Sequence, residues 1–338
     1  MVARNDLLDA VGRLVEIATH DGDDRALRGA VNAVVKVAST ADARTSRAAI
    51  ARIAEGVRDA DGRASQVLHL TLGALVEAGA PPELAWPIVT NGLRGLLEQA
   101  TRFADACIER ARDAAGDEEG FAAAAREVSE RRPRDAAAWR DLPSRCLAAV
   151  SCLTRSRDLR KTVREDAALV DATLPLAEAV DEVGLLLQVL RMIDDEELVV
   201  VHAEAKRAFR VAIRDVASNA ELLALLADAL VGDGMLPGKR PAKPVHTALG
   251  KGKAVSLKTP FTFDTTPHGD LVDGVPADFP ERNGARVVVL HDLGKPRSLA
   301  VDPSFVGLAP QVRVTRKLPP AEVERWLAPP RRAARRRR

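Results

Sequence analysis

The sequence predicts an α+β protein: an all-α N-terminal domain, arranged as a helical bundle or an irregular HEAT-like array, followed by a small α+β domain. Three observations lead there. Apolar residues recur at helical spacing as far as about residue 193, β-branched alternation takes over near Asp194, and proline, glycine and positive charge gather in the last third. With 338 residues the chain has room for two domains. The expected division is 1–193 helical, 194–328 α+β with a Gly/Pro/Lys-rich linker at about 232–258, and an Arg-rich tail at 329–338.

Leu7, Val11, Leu14, Val15 and Ala18 mark a first amphipathic helix. Leu27, Val31, Val34, Val35 and Ala38 repeat that stripe twenty residues later. Ile50, Ile53, Ala54 and Val57 form a weaker third copy, and Leu68, Leu72 and Leu75 a fourth. A helix-plus-turn spacing of that size would give the pairs of a HEAT-type array. The copies share pattern more than identity, which leaves the bundle equally open. Further helices are expected over 83–113, 120–130, 134–158 and 163–193. Asp61-Gly62, Pro81-Pro82, Gly116-Asp117 and Arg131-Arg132-Pro133 mark breaks between them.

From Leu198 to His202 the chain is β-rich, and Phe209, Val211 and Ile213 alternate with Arg210, Ala212 and Arg214. These runs predict a hairpin turning at 203–207 with a basic outer face. Asn219 is the expected cap of a helix reaching about Val231. Short strands are expected at Arg286–Leu290, Arg297–Val301 and Gln311–Leu318, and a closing helix opens at Pro319-Pro320.

The formal charge of +2 is a cancellation. Through Met235 there are 30 basic and 39 acidic residues, net −9; from Leu236 onward there are 20 basic and 9 acidic, net +11. Six of the latter positives are the arginines of RRAARRRR. Tyrosine is absent and aromatics make up 3%, so phenol chemistry is excluded and aromatic stacking on single-stranded nucleic acid is poorly supported. Arginine far exceeds lysine and alanine is abundant, the imprint of GC-rich codons. Cys107, Cys146 and Cys152 show neither C-x-x-C nor zinc spacing and read as buried free thiols. MVARNDLLDAVGRL has no apolar signal core, and no apolar run approaches the ~18 residues of a membrane span, so a cytoplasmic protein is expected.

The run LVVVHAEAKRAFRVAIRDVASNAELLALLADALVG (198–232) and the later GVPADFPERNGARVVVL (274–290), behind a helical front half, resemble in order and spacing an uncharacterised protein group of GC-rich bacteria. The resemblance implies a domain layout and transfers no activity. The hairpin turn of that group carries glycine, where this chain has Ala203-Glu204-Ala205-Lys206.

Chemistry-bearing residues are sparse. GxxxxGK[ST] does not occur, and GKGKAVSLK lacks the third glycine of a dinucleotide loop. His268, Asp270 and Asp273, with Asp264 ahead of them, are the densest set of metal-ligating types, but their spacing follows no helix or strand period and suits a turn-rich loop. His291-Asp292 closes the apolar run Val287–Leu290, a catalytic position in open α/β sheets, but with Gly294 and Pro296 behind it the pair reads rather as a strand ending in a polar turn. His202 occupies the same kind of place. The acidic runs Asp117–Glu119 and Asp194–Glu197 read as solvated boundaries.

The function these residues suggest is a non-catalytic scaffold or adaptor with a protein partner, no cofactor and no metal. One alternative is sequence-independent nucleic-acid binding by the basic C-terminal part, through Lys239, Arg240, Lys243, Lys251, Lys253 and Lys258 together with Arg331, Arg332, Arg335, Arg336, Arg337 and Arg338. The other is an enzyme in which His268, Asp270, Asp273, His291 and Asp292 converge.

Overall fold

In the computed structural model, which describes residues 3–20, 23–112, 118–241, 243–263 and 274–327, the protein is α+β. Two compact units are present, Met1–Leu190 and Arg191–Arg338. The first consists of α1 (Ala3–Thr19), α2 (Asp24–Ala38), α3 (Ala43–Asp59), α4 (Gly62–Glu77), α5 (Pro82–Thr90), α6 (Leu93–Arg112), α7 (Glu118–Arg131), α8 (Pro133–Arg155), α9 (Arg157–Arg164), α10 (Ala167–Thr173) and α11 (Asp181–Leu190). Several starts are set by polar side chains that take up an orphan backbone N–H: Asp23 accepts from Ala26, Asp42 from Thr45, Ser156 from Leu159 and Asp166 from Leu169.

The first stripe is buried as expected, Leu7, Val11 and Leu14 completely. On α2 the buried line is Leu27, Ala30, Val34 and Ala38, and Val35 is half exposed. Val35 continues the chain one position past Val34, about 100° around the helix, and so leaves the core face. The helical span expected at 83–113 holds two helices, because Asn91 and Gly92, the latter at φ 74°, end α5 before α6 begins. The span 163–193 is likewise divided, into the end of α9, then α10, a 3₁₀ turn at Leu174–Leu176 and α11. Here Pro175 stops α10 and Asp181 opens α11.

Helix α8 is the axis of this unit and packs against α4, α5, α6, α7, α9 and α11. In a solenoid each pair touches only its neighbours along the array, so these contacts are those of the bundle. The α4–α8 approach depends on Gly73, where a Cβ would stand 3.2 Å from Ala148 Cα and 3.2 Å from Ser151 Oγ.

The second unit contains β1 (Glu197–His202), β2 (Arg207–Arg214), α12 (Asn219–Leu226), α13 (Val245–Leu249), β3 (Val255–Phe263), β4 (Glu281–Arg282), β5 (Ala285–Val301), β6 (Gln311–Lys317) and α14 (Pro320–Leu327). The strand order is β3-β5-β1-β2-β6, with β4 paired to the start of β5. The β1–β2 pair is antiparallel, with His202 opposite Arg207, and residues 203–206 form the turn. Strand β1 pairs in parallel with β5, placing His202 beside Leu290. It is buried from Leu198 to His202, as a central strand covered on both faces must be.

One sheet face carries Leu198, Val200, Phe209, Val211, Ile213, Val288 and Leu290, and packs on α12, α13 and the π-helical turn Ala227–Val231. On the other face α14 lays Val323 and Trp326 over Val199, Val201, Ala208 and Val287. The β4–β5 turn uses Asn283 and Gly284, both at positive φ (51° and 77°), the Asn-Gly signature of a two-residue hairpin.

Four expectations are corrected in this unit. The helix cap is Ser218, whose hydroxyl accepts from Glu221 N–H, so Asn219 lies inside the helix. The supposed linker 232–258 contains α13 and the start of β3, because Val245, Leu249 and Leu257 bury in the core. Arg286–Leu290 and Arg297–Val301 belong to one strand, since β3 accompanies β5 through Asp292 and again from Arg297 to Val301 around a bulge. The acidic run 194–197 is solvated only in part: Asp194 is buried and accepts from Asp215 N–H, whereas Asp195 and Glu197 are exposed and pair with Arg214 and Arg210, and half-buried Glu196 pairs with Arg286.

Candidate functional site

Strand β1 ends where β5 continues, and that offset brings four polar side chains together. His202 is the last residue of β1; Glu204 follows in the turn; His291 and Asp292 sit on β5 just past Leu290, the partner of His202. The bond from Ala203 N–H to Leu290 O holds the two segments in step. The His202 ring is 1% exposed and stands edge-on to Phe261, with centroids 6.0 Å apart. His202 Nε2 is 3.2 Å from Asp292 Oδ1, and Nδ1 accepts the Ala205 N–H at 3.2 Å.

That second bond assigns the tautomer. An Nδ1 acting as acceptor leaves the ring proton on Nε2, which donates it to Asp292. Both ring nitrogens are therefore engaged, and His202 has no free lone pair with which to activate a nucleophile.

Glu204 is the other hub. Its Oε1 is 2.9 Å from His291 Nδ1, and its Oε2 accepts the Asp292 N–H at 3.0 Å. Partial burial pushes the Glu204 carboxyl up, but the bonds from His291 and from the Asp292 amide outweigh it and hold the group below the usual carboxylate range. Glu204 is therefore an anion at neutral pH. One ligand atom each from His202, Glu204 and Asp292 lies within a sphere of mutual distances under 4.8 Å. Only the His202 end of this group is buried; Asp292, Glu204 and His291 all reach solvent.

A second feature occupies the face of the sheet that α14 covers only in part. Beyond Val199 and Ala208 no helix among the described residues covers the face, and a hollow of about 440 Å³ is lined by Asp195, Ala212, Arg214, Gln311 and Arg313, with Ile213. Ala212 opposes Arg313 across β2 and β6, and Arg214 opposes Gln311, so a small side chain forms the floor between two guanidinium groups. Arg210 stands on the same face and pairs with Glu197, whose other oxygen accepts the Thr315 hydroxyl. The Arg214–Asp195 pair is loose, 3.4 Å with both partners well exposed. Arg313 has no acidic partner among the described residues. Strand β6 is an edge of the sheet.

Of the residues singled out from sequence, His291 and Asp292 are in the first feature; His268, Asp270 and Asp273 lie outside the described residues, as does the tail from Arg331 to Arg338. Lys258 is exposed on β3, the edge opposite β6, beside Arg297 of β5, which pairs with Thr259. Lys239, Arg240 and Lys243 precede α13, and Arg240 lines a hollow with Asp228, Asp233 and His246. Lys251 and Lys253 follow α13. These lysines and Arg240 therefore do not share the surface of Arg214 and Arg313.

Sequence reasoning missed Glu204 and gave His202 no role, because His-x-Glu across a turn and a His-Asp dipeptide are each too short to signal a site. Only the parallel register of β1 and β5 joins them. Glu221 was also missed: it is 2% exposed and accepts from Ala217 N–H and Ser304 N–H, which makes it a brace between α12 and the loop before β6. All three cysteines are buried and free, and burial pushes the thiols of Cys146 and Cys152 up to about 12, so none is a nucleophile at neutral pH. No helix among the described residues is long and apolar enough to cross a membrane. Comparison with protein-family models, with curated proteins and with solved structures finds no match.

Proposed function

We propose that the protein is a non-catalytic, cytoplasmic scaffold or adaptor that holds an acidic protein segment against the bare half of the sheet in its second unit. The observation that carries this reading is the Arg214–Arg313 hollow on the face next to the edge strand β6. Exposed ion pairs such as Arg214–Asp195 contribute about 0–1 kcal/mol, so Arg214 can exchange Asp195 for a partner carboxylate at little cost. Arg313 needs no such exchange. The guanidinium fork suits planar carboxylates, and opposite charge across an interface accelerates encounter and selects the partner. Buried free thiols agree with a reducing compartment.

Nucleic acid is the second reading, favoured by Lys258, Lys295 and Arg297 on β3 and β5 at the far side of the sheet. Fluorescence anisotropy of the full chain separates the two, using a labelled Glu/Asp-rich peptide and a labelled DNA duplex at low and high salt. The double variant Arg214→Glu/Arg313→Glu is expected to weaken peptide binding at least about tenfold and to leave the folded state intact, since both side chains are solvent-facing. Duplex binding that falls steeply with salt, with no peptide binding, would replace this reading by the second.

A further inference from the structure

We propose that His202, Glu204 and Asp292 bind a divalent transition-metal ion of the zinc class, with His291 as the positioning residue that orients Glu204. The site is independent of the Arg214–Arg313 surface. Ligands at the usual zinc bond length stand about 3.3 Å from one another around a tetrahedron. His202 Nε2 and Asp292 Oδ1 are 3.2 Å apart, Glu204 Oε2 stands 3.8 Å from His202 Nδ1, and one ligand atom of each residue lies within 4.8 Å of the others. One imidazole with two carboxylates is a donor set for a borderline ion; soft copper(I) would want sulfur, and calcium more oxygens.

Three further features support the site. The His202 ring is anchored from the inside, buried against Phe261, whereas Asp292 and Glu204 are 47% and 43% exposed and leave an outer side for ion entry and a water ligand. Glu204 is held from outside by His291 Nδ1 on Oε1 and by the Asp292 amide on Oε2, the kind of support that orients carboxylate ligands in metal sites. Two carboxylates brought this close repel, and a cation between them relieves the repulsion.

The tautomer adds a specific consequence. In the hydrogen-bonded arrangement the ring proton sits on Nε2, because Nδ1 accepts from Ala205. An ion on Nε2 requires that proton to leave to solvent and another to be taken up on Nδ1, so the ring stays neutral and releases none on balance. The Ala205 N–H then loses its acceptor, and the turn 203–206 must readjust. Ion binding is thereby coupled to the β1–β2 turn.

The test uses the full chain freed of metal with a chelator, titrated with Zn²⁺ by calorimetry and with Co²⁺ by visible d–d absorption. One equivalent is expected, with the Ala205 amide resonance shifting on Zn²⁺ addition. Asp292→Asn and Glu204→Gln, both partly exposed and near-isosteric, are expected to weaken binding at least about tenfold, and His291→Gln about tenfold by freeing Glu204. His246→Ala, a histidine outside the cluster, should change nothing. No stoichiometric binding, or binding that Asp292→Asn and Glu204→Gln leave untouched, would overturn the site. Circular dichroism of each variant separates loss of the ion from loss of the fold. Failure here leaves the peptide-binding result unaffected, since the two measurements share no residue.

Discussion

His69 shows what burial does to a single ionisable group in the helical unit. It is 2% exposed on α4, its Nδ1–H donates to Ser65 O at 2.8 Å, and Nε2 has no hydrogen-bond partner among the described residues. Burial, then the positive charge of Arg145, lower its pKa from 6.5 to about 4. The unfolded chain takes up a proton near pH 6.5, whereas the folded chain does not until about pH 4. The neutral ring therefore contributes stability that is complete above pH 6.5 and is lost as the pH falls through that window, roughly 3 kcal/mol in all. Urea unfolding followed from pH 7 to 4 should show this loss, and His69→Leu should remove that part of the slope. A wild-type profile with no such slope would mean that the folded ring protonates freely. This pKa could not be read from the sequence, since desolvation depends on tertiary burial, and the charge of Arg145 comes from α8, 76 positions further along the chain.

At the scale of elements, the α4–α8 contact is the clearest case of one residue setting a distance. A Cβ on Gly73 would meet the backbone of Ala148 at 3.2 Å, and a backbone cannot rotate aside as a side chain can. Gly73→Val is expected to push the helices apart and to destabilise the unit by about 1–3 kcal/mol, lowering the midpoint of urea unfolding. An unchanged midpoint would show that α8 yields at no cost. Helix existence was legible in the apolar spacing, as with Leu7, Val11 and Leu14. Helix ends were less so: the stop at Asn91-Gly92 breaks no apolar period, and the strand β5 runs through Gly294 and Pro296, residues that read as a turn. Pairing with β3 on either side of a bulge keeps that stretch extended, a long-range effect that no local propensity carries.

Over the whole molecule, the opposite charges of the two parts of the chain bear on which segment recruits a partner. The tail 331–338 supplies six of the positive charges of the C-terminal part, and the Arg214–Arg313 surface far fewer. The proposed reading seats the peptide on Arg214 and Arg313 themselves, and so assigns its affinity to those two groups rather than to the tail. Deleting 331–338 is therefore expected to change acidic-peptide affinity by less than about threefold in the anisotropy measurement. A loss of tenfold or more would assign the partner to the tail. The α+β class, the helical front half and the charge split could all be read from one dimension, because hydrophobic period and composition are local sums along the chain. The cluster of His202, Glu204, His291 and Asp292, and the bare face between Arg214 and Arg313, arise from strand order and register, which join residues some ninety to a hundred positions apart. Pairing of that kind is settled by which faces can bury together in three dimensions, and no spacing within either segment records it.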